Sequence, residues 1–333
     1  MDPITQGAFG AVFAQLQGRK KDLAKAGVIG ALAGMAPDLD ILIRSMNYPL
    51  LALEYHRHFT HSLLFIPFGA LIVSLVLYPL LARRWGMGFL QTLLWCIIGY
   101  STHALLDACT SYGTQLLWPL TNTRFSWDTI SVVDPLVTLP ILVLTILAAR
   151  RKARVYAVAA VVWLVSYFSM SSYLHQQALD EGAKLAASRG HQALSIEAKP
   201  SFGNIAVWKV ITETQDTFYV DAVKPFGSEP KVWEGESSKK LDIDRDLPWL
   251  DKDSQQAKDI ERFRWFSMNY LALDKENPNR VVDIRYSMLP QEIQPLWGID
   301  LSPDAKPDDH IVYYNERGDS RGAVKRLWQM IWE

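Results

Sequence analysis

Cysteine is almost missing from this chain: among 333 residues there are two, Cys96 and Cys109. On one continuous helix they would lie roughly 20 Å apart along the axis, too far to bridge each other. That excludes a disulfide framework, and two thiols do not make a thiolate metal cage. An excess of charge of one sign is also lacking. The net charge is -1, so nothing biases the chain toward a polyanion, and nucleic acid is not an expected partner. No cleavable leader is apparent. The first basic cluster, Arg19-Lys20-Lys21, follows an apolar stretch instead of preceding one, so the N-terminus is expected to be retained. Internal repeats and low-complexity tracts are absent.

What is present is unevenly spread. Residues 1–175 are mostly apolar, whereas residues 176–333 have the composition of an ordinary soluble domain, and the expected domain boundary lies between them. Four runs approach the roughly 20 apolar residues that span a bilayer. They are 63–82, which carries no charge, then 89–108, 132–149 with Asp134 and Pro135 near its start, and 155–174. Two shorter, glycine-rich runs precede them, 4–16 and 23–35. Their small residues suit close helix packing in lipid, and they read as a helical hairpin that need not cross the whole membrane.

Basic loops set the orientation. Arg19-Lys20-Lys21, Arg83-Arg84 and Arg150-Arg151-Lys152-Arg154 are expected on the cytoplasmic side. Threading the chain between them puts the N-terminus, the 37–62 loop, the 109–131 loop and everything after Leu174 outside, which in a Gram-negative cell is the periplasm. The expected architecture is a multi-pass α-helical membrane domain followed by a small α+β extracytoplasmic domain, in a bacterial inner membrane.

In the second half, the helix begun at 155 is expected to run on to about Arg189 and stop at Gly190. IAVWKVITE and TFYVDAV then alternate as paired strands, with TQD as the turn. RVVDIRYSML and HIVYYNE are further strand candidates. DSQQAKDIERFRWFSMNYLAL, from Asp253, suits a helix capped by its aspartate or serine.

Polar residues in or beside the apolar runs are few, and they cluster: Asp2 and Gln6 in MDPITQG, Asp38 and Asp40 in PDLD, His56, His58 and His61 in HRHFTHS, His103 and Asp107 in HALLD, then Asp128 and Asp134. The orientation, argued from lysine and arginine alone, brings all of them toward the outer face. Ionisable groups at membrane depth are expensive and are functional candidates by default. His103 and Asp107, four apart, share a helix face about 6 Å apart. Asp38 and Asp40 can point to one side only in an extended turn. Mixed imidazole and carboxylate ligands suit zinc, manganese or iron rather than calcium. Such a site can lower the pKa of a bound water and polarise a scissile bond. Up to six ligands allow two metals, and Arg57 and Arg124 match a phosphate.

The ligand set expected is therefore Asp38, Asp40, His56, His61, His103 and Asp107, holding a divalent ion, zinc or manganese first. Asp38 and Asp40 are also candidates for general base, and Arg57 is expected to face substrate. His58 is left out as a solvated boundary residue. Asp2, Asp128 and Asp134 read as helix caps, and Thr60 and Ser62 as caps of the helix opening at Leu63. His175, His191 and His310 read as surface residues, and Trp118 and Trp127 as an interfacial belt.

MDPITQ, PDLD, HRxxTHS, HxLLD and YGTQLLWP, in this order over about residues 1–145, resemble the membrane-bound metal-dependent hydrolase family, the YdjM/YbcI-type inner-membrane proteins. RYSMLP and PLWGIDL are similar to the extension that some members carry. The resemblance implies a multi-pass inner-membrane protein and a hydrolase. It carries HRxxTHS onto His56, Arg57, Thr60 and His61, PDLD onto Asp38 and Asp40, and HxLLD onto His103 and Asp107. This chain departs from the family in two places. Gln6 stands where many members have histidine, and His58 where a small residue is commoner. The expected activity is hydrolysis of a lipid-linked or phosphoester substrate at the outer leaflet, with membrane lipid as partner. A transporter, or a scaffold around a structural metal, would use the same residues.

Overall fold

The computed structural model of the chain describes residues 1–227, 229–315 and 320–333. It divides into two compact units. The first comprises Met1–Leu42, Tyr55–Ser172 and Phe202–Asn204; the second comprises Ile43–Glu54, Tyr173–Ser201 and Ile205–Glu333. In chain order the helices are α1 (Pro3–Gln17), α2 (Leu23–Met35), α3 (Leu51–Tyr55), α4 (Ile66–Leu77), α5 (Phe89–Ala108), α6 (Pro135–Arg151), α7 (Val155–Ser188), α8 (Ile243–Asp246), α9 (Gln255–Phe266) and α10 (Ser320–Trp332).

Among the described residues, three helical stretches are long and apolar enough to cross a membrane: Leu63–Trp85, Phe89–Ala108 and Val155–Ser188. The 132–149 run falls short. Asp134 accepts from the backbone N–H groups of Leu136 and Val137 and caps α6 there, so the helix starts at Pro135 and has 17 residues. Asp2 caps α1 in the same way, through Ile4 and Thr5.

The hairpin of α1 and α2 packs on α5 through glycines. A Cβ on Gly10 would stand 2.2 Å from the carbonyl oxygen of Gly30, and one on Gly99 would stand 2.3 Å from the same atom. No side chain larger than hydrogen fits at that crossing. Packing rather than propensity holds these glycine-rich helices. The 109–131 loop folds back over the start of the 63–85 stretch. Gln115 N donates to Arg57 O at 3.1 Å, Leu63 N donates to Leu116 O at 2.9 Å, and Ser62 Oγ donates to Trp118 O at 2.5 Å.

The second unit is built on antiparallel strands: β1 (Ser195–Pro200), β2 (Trp208–Glu213), β3 (Thr217–Lys224), β4 (Lys231–Trp233), β5 (Ser237–Lys239), β6 (Leu271–Leu273), β7 (Arg280–Asp283), β8 (Trp297–Asp300) and β9 (Val312–Asn315). Strands β1 to β4 run in order with β5 beside β3, and β6 to β9 form a second sheet in order. The expected hairpin is β2–β3, with Glu213 opposite Phe218. Ile211, Phe218 and Val220 from the first sheet and Ala272 and Val282 from the second share one core. Ser254 caps α9 through Ala257 N. That helix ends at Phe266 because Met268 and Asn269 take left-handed backbone, and the last three residues of the predicted helix, Leu271–Leu273, become β6. Of the two later strand candidates, only four residues each pair, and Glu316 lies outside the described residues.

The three histidines expected at the surface are half-buried and engaged instead. His175 packs on Trp208, His191 stacks on Tyr219, and His310 Nδ1 lies 2.7 Å from Asp259 Oδ2.

Candidate metal centre

Three chain segments meet at the open end of the α1–α2–α5 packing. The first is Ala36–Leu42, a 3₁₀ extension of α2 that carries Asp38 and Asp40. The second is the turn holding His56 to His61, and the third is the last two turns of α5 with His103 and Asp107. His61, His103 and Asp107 are fully buried, while the Asp38 side chain keeps one-fifth of its surface exposed.

The donor atoms converge. His61 Nε2 lies 2.9 Å from His103 Nε2, 3.2 Å from Asp107 Oδ2 and 3.5 Å from Asp38 Oδ1. His103 Nε2 lies 3.3 Å from Asp38 Oδ1 and 3.6 Å from Asp107 Oδ2. Four ligands about 2.0–2.1 Å from a tetrahedral ion would stand about 3.3–3.4 Å from one another. The distances bracket that edge, so the residues present fit a divalent cation.

Each imidazole is oriented from behind. His103 Nδ1 donates to the carbonyl of Gly34 at 2.5 Å, and His61 Nδ1 faces Asp40 Oδ2 at 3.2 Å. Both Nε2 lone pairs are thereby turned toward one point, the outer-shell arrangement that metal-binding histidines use. Asp40 is a hub. It accepts from Thr60 Oγ1 at 2.8 Å and Arg57 N at 3.0 Å, and its Oδ1 meets His56 Nδ1 at 2.8 Å. Burial favours its neutral form, but the hydrogen bonds from His56 and His61 outweigh that and hold the carboxyl well below the usual range.

Asp107 is fixed on its far side. Its Oδ1 accepts from the Gln6 amide at 2.8 Å and pairs with the Met1 ammonium. Its Oδ2 lies 3.0 Å from Arg57 Nε but has no aligned hydrogen bond, which leaves a lone pair for the centre. Arg57 also donates to Thr110 Oγ1 at 2.9 Å and is buried. Its backbone is left-handed, with φ 65°, a conformation that costs a non-glycine residue about 1–3 kcal/mol. That turn points the Arg57 N–H at Asp40 and its side chain at Asp107.

The six expected ligands thus assemble, in two overlapping groups. Asp38, His61, His103 and Asp107 form one, and Asp38, Asp40 and His56 the other, with the donor atoms of each group within 4.8 Å. The expectation of an extended PDLD turn is corrected. The segment is 3₁₀, and its two carboxylates reach opposite nitrogens of His61. Arg57 meets Asp107 rather than the exposed mouth. Ser62 caps as expected, through Leu64 N, but Thr60 instead serves Asp40. His58 packs on Trp118 away from the cluster, and Asp128 and Asp134 lie outside it. Sequence reasoning missed Thr110, the Gly34 carbonyl, and Tyr100, whose hydroxyl donates to Thr60 O at 2.8 Å. The YGTQLLWP stretch was a signal for the backbone contacts onto 57–63, and it was given no role.

Comparison with known proteins bears on the same residues. The model of the YdjM inner membrane protein family matches residues 1–178, more than half of the chain. The chain belongs to this family. It is similar to the uncharacterized protein YfhP of Bacillus subtilis (strain 168), with 26% identity over 200 residues, 60% of this chain and 59% of YfhP. It is also similar to the inner membrane protein YbcI of Escherichia coli (strain K12), with 34% identity over 108 residues, 31% of this chain and 60% of YbcI. The chain therefore spans about six-tenths of the length of each. No solved structure matches. The YdjM-family match covers every residue of the cluster, and with the apolar helices it makes this an inner-membrane protein.

Proposed function

We propose that this YdjM-family chain is a metal-dependent hydrolase of the inner membrane, acting at the outer face on a lipid-linked or phosphoester substrate. The observation that carries the reading is the convergence of two Nε2 atoms and two carboxylate oxygens at tetrahedral edge distances. A divalent ion bound there would polarise a scissile bond and acidify a water beside it. His61, His103 and Asp107 would hold the ion, leaving Asp38, the partly exposed fourth donor, free to take a proton from water. Asp40 with Thr60 orients His61, and Gln6 with Arg57 orients Asp107. Asp38 is shared with the second group, with Asp40 and His56, which gives a second cation position. Arg57, held on Asp107, acts as a positioning residue.

The outer-face assignment is supported by the ends of the helices. α2 begins just after Lys20 and Lys21 and ends before Asp38; the 63–85 stretch begins after His61 and ends on Arg83 and Arg84. The cluster occupies the non-basic ends, which the positive-inside rule assigns to the outside. Threaded in the same way, the sheet unit is extracytoplasmic.

Metal analysis of detergent-purified protein tests the reading, wild type beside His61→Ala and His103→Ala. The wild type is expected to retain a divalent ion and the variants to lose it; near-zero metal in all three overturns the site. A screen of phosphoesters and lipids on the metal-loaded protein then separates hydrolase from scaffold. A reporter fused after Glu333 that is active only in the cytoplasm would overturn the orientation.

A further inference from the structure

Helix α10 carries two apolar faces where a domain helix needs one. Leu327 and Met330 are buried against Val207 and Ala222, and that face belongs to the fold. Val324, Trp328 and Trp332 recur every four residues on another side. Trp328 and Trp332 remain 61% and 72% exposed, with ring centroids 5.8 Å apart. At about 100° per residue, Arg321 and Lys325 fall within the same sector, about 100° wide, as these three apolar residues. The surface beside the helix repeats the mixture. Lys224, whose Nζ donates to Ile331 O at 2.9 Å, lies over the exposed ring of Phe226, and Lys231 lies over Trp233. The one acid at the helix end, Glu333, is paired with Arg326 and Lys231.

Tryptophan and cations sharing one face of an amphipathic helix suit the level of lipid headgroups, where indole is amphipathic and the cations meet phosphates. A chain of an inner-membrane family has a bilayer surface beside it on either face, and cations flanking indoles favour the anionic phospholipid of that surface. We propose that α10 is an interfacial anchor for the sheet unit. Val324, Trp328 and Trp332 enter the headgroup–acyl boundary of a bilayer containing anionic phospholipid, and Arg321 and Lys325 pair with its phosphates. This holds whether or not the His/Asp cluster is a hydrolase site.

The test uses the full chain in nanodiscs of phosphatidylcholine with about 30% phosphatidylglycerol, an anionic surface. An NBD fluorophore is placed on Trp328→Cys, and on Lys258→Cys as an exposed control, in a Cys96→Ala/Cys109→Ala background. Shallow nitroxide-labelled lipid is expected to quench NBD at 328 about two-fold or more and to leave 258 untouched, as for a residue at headgroup depth. Adding Arg321→Glu and Lys325→Glu, or omitting phosphatidylglycerol, is expected to remove most of that quenching. Water-like emission at 328 overturns the anchor, as does a blue shift without lipid quenching, which would mean a protein surface covers the helix. Hydrogen exchange of residues 320–333 in the unmodified chain is an independent arm. Exchange several-fold slower with phosphatidylglycerol than without it supports the anchor, and equal exchange overturns it.

Discussion

Two of the buried charge groups among the described residues, one in each unit, are arranged oppositely. In the sheet unit, Arg285 and Asp283 are both fully buried and close on each other. Nε and Nη2 of the arginine donate to the two carboxylate oxygens at 2.9 and 2.7 Å, Nη2 also reaches Phe266 O, and Trp297 Nε1 adds a fourth bond. Donors meet acceptors except at Arg285 Nη1, and the charge of the pair is settled within the protein. In the helical unit, two imidazole nitrogens and two carboxylate oxygens turn toward one point, while their outward sides are held by Asp40, Gly34, Gln6 and the Met1 ammonium. Burial and polarity do not tell a site from a strut. Convergence of like-role atoms does.

The comparison can be broken most decisively at Asp107. Asp107→Ala is expected to lower metal affinity by well over 100-fold, because it removes a ligand rather than one of its outer partners, which alone are worth about 10–100-fold; metal content after dialysis against a graded chelator measures it. Asp40→Asn leaves the four donors but loosens both histidines, and about 10–100-fold is expected in the same assay. Arg285→Met strands the buried Asp283 carboxylate and is expected to destabilise the sheet unit by about 3–5 kcal/mol with metal content unchanged. The pair Asp283→Leu with Arg285→Met should recover much of that in thermal unfolding, as no replacement of Asp107 should for the metal. If Arg285→Met also empties the site, the two groups are not independent and the contrast fails.

The smallest effect sharpens the sheet side. Lys209, buried and donating to Ser287 Oγ and Glu292 O at 2.8 Å, has its pKa lowered by burial to about 7. The unfolded chain holds that proton up to the ordinary lysine pKa, about 10.4. Between the two values the unfolded state binds more protons, so stability rises with pH from about 7 toward 10. The unfolding temperature of the sheet unit is expected to climb between pH 7 and pH 9. With Lys209→Met the climb disappears; the same climb in the variant rules Lys209 out as its cause.

Much of this was open to reading in the residues. Asp38, His61, His103 and Asp107 stood out because ionisable side chains are rare in such apolar surroundings, and α1, α2 and α5 begin and end where the apolar runs do. What was hidden depends on backbone atoms and local geometry. The partner of His103 Nδ1 is a carbonyl, which any residue at 34 supplies. Thr60 could cap a helix or serve Asp40, and only the turn at Arg57 decides between them. Strands of three or four residues, such as β4, β5 and β6, have too few positions for alternation to register. The shortened α6 follows from Asp134, whose capping starts the helix three residues inside its apolar run.

The contact of Gly99 on the Gly30 carbonyl acts as a gauge block. It sets how far α2 stands from α5, and therefore how wide a gap separates the acid that follows α2 from the imidazole on α5. The calibre of the candidate metal centre is thus written in residues outside the His/Asp cluster. A single methyl group added at 99, one turn before His103, would respace the centre while leaving every ligand in its place in the sequence.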